Sequence, residues 1–327
     1  GFDGAAFPWR TITGKECSGY WPAGAAAFHV NAAVARAVSG YLRADGDVDF
    51  EQTVGLDLLV ETARLWRSLG YFDDDGRFRI DGVTGPDEYS ALVRNNLYTN
   101  LMARENLSAA AEIVERHRER MPDLGVTDAE IGGWRAAAEG MFVPYDARRG
   151  VHPASSGFTD RQVWDFAATP PERFPLLLHY PYFDLYREQV VKQADVVLAM
   201  QWVPDAFTAE EKARNFAYYE PLTVRDSSLS ACSQAVVAAD VGALDLAYDY
   251  LGETALIDLL DLEHNTSNGL HLASLAGIWI ALVQGFGGAR RRRAGLTFRP
   301  VVPRGIDRRE LGVAAAGCRL RVEIDRT

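Results

Sequence analysis

Apolar residues recur at helical spacing through roughly the first 285 residues of this 327-residue chain, and that periodicity leaves few fold classes open. In 53–69, TVGLDLLVETARLWRSL, the residues Val54, Leu58, Leu65 and Leu69, with Thr62 between them, are expected on one face. Gly70 then follows as a C-terminal cap, and Asp47 or Asp49 is placed to cap the start. Further helices are expected over about 25–44, 95–120, 127–141, 186–202, 208–219, 229–239, 241–250 and 272–285. The connecting stretches 1–22, 71–94, 143–184 and 261–271 are long and rich in aromatic residues, Gly and Pro. Loops of such length commonly build a site, and their aromatic content weighs against disorder. After Gly295 the texture changes: LTFRPVVP and CRLRVEI alternate apolar and polar residues, as strands do. The chain is therefore expected to be mostly α over 1–290, with the start of a β module over 291–327 that stops short at Thr327.

Charge narrows the partners. Forty-five acids against 34 bases give a formal net charge of -11, which supplies no net attraction to nucleic acid or an anionic membrane. The short basic run Arg290 to Arg293 lies beside glycines and reads as a solvated linker. Cys17, Cys232 and Cys318 are odd in number and far apart, so neither a disulfide framework nor a zinc site is indicated, and a cytoplasmic setting is expected. No apolar run is long enough for a membrane span and no signal peptide is visible. The opening on Gly1, without Met, leaves room for upstream sequence. None of the six histidines forms an H-x-x-x-H pair; His264 and His271 lack a third ligand nearby and suit an anion or a sugar better than zinc.

Chemistry concentrates in a few stretches. In DGVTGPDEY, residues 81–89, a Gly85-Pro86 turn presents Asp87 and Glu88 beside Tyr89. A carboxyl that protonates a leaving oxygen needs a raised pKa, which partial burial and a neighbouring like charge both supply. Tyr89 and Val83 provide the first and Asp87 the second, although Gly-Pro-Asp is equally at home in a plain surface turn. VRDSSLS, from Val224, gathers hydroxyls and Asp226 at a helix start, where an ordinary N-cap would do the same. HNTSNGLHLAS, from His264, leads into another helix with His271 near its first turn; amides, hydroxyls and an imidazole there suit an anion. VVKQADVVLAM puts Lys192 and Gln193 within an otherwise apolar helix, where Lys192 is either paired and functional or reaches outward to water.

Taken together, GAAFPW (4–9), GPDEY (85–89), NNLYTN (95–100), KQAD (192–195), DSSLS (226–230), NTSNGLHLASLAG (265–277) and GFGG (285–288) resemble glycoside hydrolase family 65. That family includes maltose, trehalose and kojibiose phosphorylases, and the resemblance runs in order along nearly the whole chain. It implies an (α/α)6 barrel followed by a small β-sandwich-like domain. It also implies cleavage of an α-linked glucose disaccharide by inorganic phosphate, with inversion at C1 to β-glucose 1-phosphate. By the same resemblance Glu88 is the general acid, and Lys192 and Gln193 hold the donor glucose. Tyr89 and Asn96 are sugar contacts, and Ser227, Ser228 and His271 bind phosphate. Trp9 is either a sugar platform or a core residue. Phosphate is then a co-substrate, no cofactor or metal is implied, and a homodimer is expected.

Phosphate is itself a nucleophile, so a phosphorylase needs no second carboxylate; a hydrolase of the same family would, with Asp226 or Glu263 as base. About nine helices are countable where the barrel needs twelve, and the family's N-terminal β-sandwich and Trp-Asp pair have no counterpart here. The chain is thus expected to begin inside the barrel and to have weak or no activity alone, which leaves an inactive carbohydrate-binding remnant as the third alternative.

Overall fold

A computed structural model describes residues 1–224, 226–292, 295–303 and 308–325. It is mostly helical, as expected, and falls into two compact units. Unit 1 comprises Gly1–Pro86, Ser90–Asp146 and His152–Phe158; unit 2 comprises Asp87–Tyr89, Ala147–Val151 and the described residues from Thr159 on.

Unit 1 carries α1 (His29–Asp45), α2 (Val48–Phe50), α3 (Leu56–Leu69), α4 (Leu97–Arg116), α5 (Met121–Leu124) and α6 (Asp128–Glu139). Two small hairpins, β1 (Thr11–Ile12) with β2 (Lys15–Glu16) and β3 (Tyr71–Phe72) with β4 (Phe78–Arg79), lie among them. The helix starts follow capping chemistry. Asp47 accepts from Phe50 N at 2.9 Å, Asn96 from Thr99 N at 2.9 Å and Thr127 from Glu130 N at 3.2 Å. α4 is the hub, packed on α1, α3 and α6, with Trp66 Nε1 donating to Asn106 Oδ1 across the α3–α4 interface.

Two details of the 53–69 region differ from expectation. A π turn over Glu51–Gly55 precedes α3 and rotates the apolar face, so that Leu56, Leu59, Val60, Ala63 and Trp66 join Thr62 and Leu65 inside while Val54 is 42% exposed. Gly70 ends the helix in extended rather than left-handed backbone; a Cβ there would sit 2.3 Å from the Phe78 ring, so the position needs Gly for close approach.

Unit 2 carries β5 (Gln162–Val163), α7 (Tyr182–Leu185), β6 (Glu188–Gln189), α8 (Asp195–Trp202), α9 (Ala209–Tyr219), α10 (Ser230–Asp240), α11 (Leu244–Leu256) and α12 (Leu272–Ile280). The strands β7 (Arg290–Arg292), β8 (Gly295–Thr297), β9 (Arg308–Ala315) and β10 (Cys318–Asp325) follow. β5 pairs in parallel with β6; β7 with β8 and β9 with β10 are antiparallel. α10 is the hub here, and its small residues allow close packing on α8, α11 and α12: a Cβ on Gly277 would lie 2.6 Å from Cys232 Cβ. Val283 and Ala289 share an apolar cluster with Leu311 and Ile324, which seats the β9–β10 hairpin on the helical residues of this unit.

The basic run is not a linker. Its first three residues form β7, and Arg290 Nη2 pairs with Asp240 Oδ1 at 2.5 Å; Arg293 lies outside the described residues. Of LTFRPVVP only the first residues are strand, since β8 ends at Thr297. Among the described residues no helix is long and apolar enough to cross a membrane.

Candidate active site

The site is built within unit 2. Around it an apolar cluster of Tyr89, Trp164, Leu176, Leu185, Val190 and Val224 supplies the rigid backing. Tyr89 is fully buried in that cluster, where its hydroxyl donates to Asp226 Oδ2 at 2.5 Å and accepts from Leu177 N at 3.1 Å. Burial and the Asp226 carboxylate push its phenol pKa up. The expectation of a direct sugar contact at Tyr89 is therefore corrected: an aromatic ring with no exposed surface holds the acid segment in place and cannot present a face to a ligand.

Glu88, next in the chain, points out of this cluster. Its side chain is 21% exposed and its Oε2 is ion-paired with Lys192 Nζ, whose side chain is 13% exposed. Gln193 Oε1 accepts from Glu88 N at 3.3 Å, so both expected sugar-holding residues meet the expected acid. The cation means that the near neighbour of Glu88 is not the like charge expected from Asp87.

Lys192 and Gln193 are not inside a helix. Val191 N donates to Leu222 O and Val224 N to Val191 O, both at 2.9 Å, so this stretch is extended, and α8 begins only at Asp195. An apolar run with β-branched Val pairs is equally satisfied by a buried strand-like segment, which is why spacing alone misplaced it. Ser230 Oγ donates to Lys192 O at 3.0 Å, tying the segment to the start of α10.

The two hydroxyl-rich stretches precede α10 and α12, which pack on each other. Ser227 and Ser228 are half-buried in the turn before α10; no side chain caps that helix, and Ser227 Oγ instead accepts from Leu229 N at 3.3 Å. Arg225, within the same motif, lies outside the described residues. His271 is the N-cap residue of α12, with Nδ1 2.6 Å from Asp258 Oδ1 and its backbone N donating to Asp258 Oδ2 at 3.0 Å. The bond from His271 holds the Asp258 carboxyl below the usual carboxylate range and leaves the far ring nitrogen, Nε2, for a ligand. Upstream, Asp261 Oδ1 accepts from both Thr266 N at 3.0 Å and Thr266 Oγ1 at 2.9 Å, which folds the loop onto the helix start. Glu263, half-buried in this loop, has its pKa raised by burial first and then by Asp226 and Glu253, against the opposing charges of His271 and Lys192. Asp226, His271 and Lys192 thus lie close enough to Glu263 for their charges to act on it.

Asn96 and Trp9 belong to unit 1. Asn96 is fully buried, its Oδ1 occupied by Thr99 N and Oγ1 and its Nδ2 donating to Ala154 O at 3.2 Å. It caps α4, and the expectation of a sugar contact there is corrected accordingly. Trp9 is half-buried, its ring centroid 5.2 Å from that of Trp21 and its edge over Gly24, which is a packing role.

Three partnerships are not visible in sequence spacing: that of Asp258, which orients His271; that of Ser230, a hydroxyl of DSSLS whose bond to Lys192 O is not foreseen; and the acceptor role of Asp87. Asp87 is visible in the motif, but its bonds join segments over a hundred residues apart, which spacing cannot report.

The Glu88 carboxyl on an aromatic backing and the hydroxyl-bearing loops before α10 and α12 are an acid and donors of the kind a glycoside-cleaving site uses. The family description "Glycosyl hydrolase family 65 central catalytic domain" matches residues 1–280, and the chain belongs to that family. It is 54% identical over its full length to an uncharacterized glycosyl hydrolase of Mycobacterium tuberculosis, covering 41% of that protein. It is 44% identical over 98% of its length to an alpha,alpha-trehalose phosphorylase of Geobacillus stearothermophilus, covering 43% of it. A solved structure of a human-microbiome protein assigned as a kojibiose phosphorylase superposes with a TM-score of 0.89 at 29% identity, over 99% of this chain and 48% of that one. That match bears out the expectation of part of an (α/α)6 barrel fold. The chain thus spans less than half the length of these relatives.

Proposed function

We propose that this chain carries the catalytic centre of an enzyme that cleaves an α-glucosidic disaccharide with inorganic phosphate, inverting C1 to give β-glucose 1-phosphate. Lys192 and Gln193 hold the donor glucose. The Glu88 carboxyl gives its proton to the glycosidic oxygen as the C1–O bond breaks, and a phosphate oxygen bonds C1 from the opposite face. Phosphate is held by the Ser227 and Ser228 hydroxyls, by Nε2 of His271 and by the amide-rich starts of α10 and α12. The observation that carries the reading is the meeting of Glu88 with Lys192 and Gln193 on a buried backing.

Hydrolysis is the second reading, favoured by one observation. Glu263 is a half-buried carboxyl with a raised pKa, as a base that activates water would be. Asp226 is the poorer candidate, because its Oδ2 already accepts from Tyr89 and from Leu176 N at 2.9 Å.

The deciding experiment incubates the full-length protein with trehalose, maltose and kojibiose, with and without phosphate. Phosphate-dependent release of glucose 1-phosphate supports the first reading; phosphate-independent release of glucose alone replaces it with the second; no turnover of any glucoside leaves the binding remnant.

A further inference from the structure

The sequence assigns Asp87 no more than a like charge beside Glu88, yet its side chain is 1% exposed and bonded into the backbone around it. One oxygen, Oδ1, accepts from Lys192 N at 2.8 Å, Tyr89 N at 3.2 Å and Gln193 N at 3.4 Å. The Tyr89 amide belongs to the acid's own segment. The other two amides belong to the residues whose side chains meet Glu88. A single atom therefore sets the spacing between the two segments, and it is set again by the bond from Glu88 N to Gln193 Oε1.

We propose that Asp87 is a positioning residue: by gathering these three amides it holds the Glu88 carboxyl in register with the 192–193 backbone, so that protonation of the glycosidic oxygen depends on it. The proposal rests on the reading of Glu88 as the acid. Proton transfer demands heavy atoms within hydrogen-bond reach, and a displacement on the order of 1 Å costs about a hundredfold in rate. Burial, with the Asp195 charge adding to it, pushes the Asp87 carboxyl up to about 8, so an asparagine reproduces both its shape and its neutral form.

The test compares two substrates in the full-length protein: a disaccharide, whose leaving oxygen needs the proton, and α-glucosyl fluoride, whose leaving fluoride does not. Phosphate is present throughout, and each variant is scored by its disaccharide-to-fluoride rate ratio, which cancels any difference in folded fraction. Glu88→Gln should lower the ratio by about a hundredfold. Asp87→Ala should lower it by at least about tenfold, while Asp87→Asn, which keeps an oxygen acceptor, should stay within about threefold of the native ratio. If alanine leaves too little folded protein, Asp87→Leu, which fills the space without an acceptor, is measured and interpreted in the same way. An unchanged ratio in the alanine or leucine variant, whatever the loss in absolute rate, overturns the proposal and leaves Asp87 a purely structural residue. An asparagine ratio as low as that of alanine overturns it too. An unchanged ratio in Glu88→Gln would instead overturn the assignment of the acid, a separate failure.

Discussion

At the scale of single residues, Glu88 and His271 are each bonded to a partner from elsewhere in the sequence, so each proposed role can be tested through its partner as well as directly. Replacing Glu88 by Gln keeps the side chain's shape but removes its acidic proton and its charge opposite Lys192, so turnover of a disaccharide should fall by about 10²-fold or more, with a much smaller effect on sugar binding. Steady-state rates alongside a binding titration would check this, and retention of more than roughly a few per cent of the rate would discard Glu88 as the acid. Asp258 bonds to His271 through both carboxylate oxygens. Those two bonds fix the His271 ring, so Asp258→Ala should raise the KM for phosphate by roughly tenfold or more with a smaller change in kcat. An unchanged phosphate KM would separate His271 from the phosphate site. Asp87 carries a pH signature of known sign. Its folded-state pKa is raised, by burial first and by Asp195 second, with Arg161 also close enough for their charges to interact. The folded protein therefore binds more protons than the unfolded chain between about pH 4 and pH 8, and stability from this group falls as pH rises through that window. Asp87→Asn should thus gain stability relative to the native protein from pH 5 to pH 8, as followed by thermal unfolding; a difference independent of pH would contradict the raised value.

At the scale of elements, the sequence was most legible where local chemistry acts alone. Thr208 was not singled out, yet the helix expected over 208–219 begins there as a full capping box with Glu211. Thr208→Ala should cost about 1 kcal/mol in chemical denaturation, a local loss without effect on the site. Gly70→Ala should cost more, about 1–3 kcal/mol, because the added methyl meets the Phe78 ring and the Arg79 carbonyl, 2.8 Å away. Equal stability of native and Gly70→Ala proteins would mean that the α3–β4 approach is looser than these distances. Legibility failed where one residue type serves two ends. The Val pairs of 190–197 satisfy a buried strand-like segment as well as a helix, so spacing puts Lys192 on the wrong kind of backbone and does not name Glu88 as its partner. Tyr89 and Asn96 fell to the same ambiguity: a ring or an amide that suits a sugar also suits a core or a cap, and only burial distinguishes them.

For the molecule as a whole, the ordered series of motifs fixed the family and the mostly helical fold, whereas the division into two units left no mark on the sequence. Pro86 and Ser90 belong to one unit and the three residues between them to the other, an excursion that no change of composition announces. A 159–327 fragment should accordingly show no glucoside cleavage even where it folds, since Glu88 is missing; activity in such a fragment would move the acid elsewhere. The same excursion matters to anyone who recombines related sequences. A crossover at residue 158 would join the Glu88 of one parent to the Lys192 and Gln193 of another, so a chimera that keeps these contacts inherits the tripeptide 87–89 from the parent that supplies the C-terminal part.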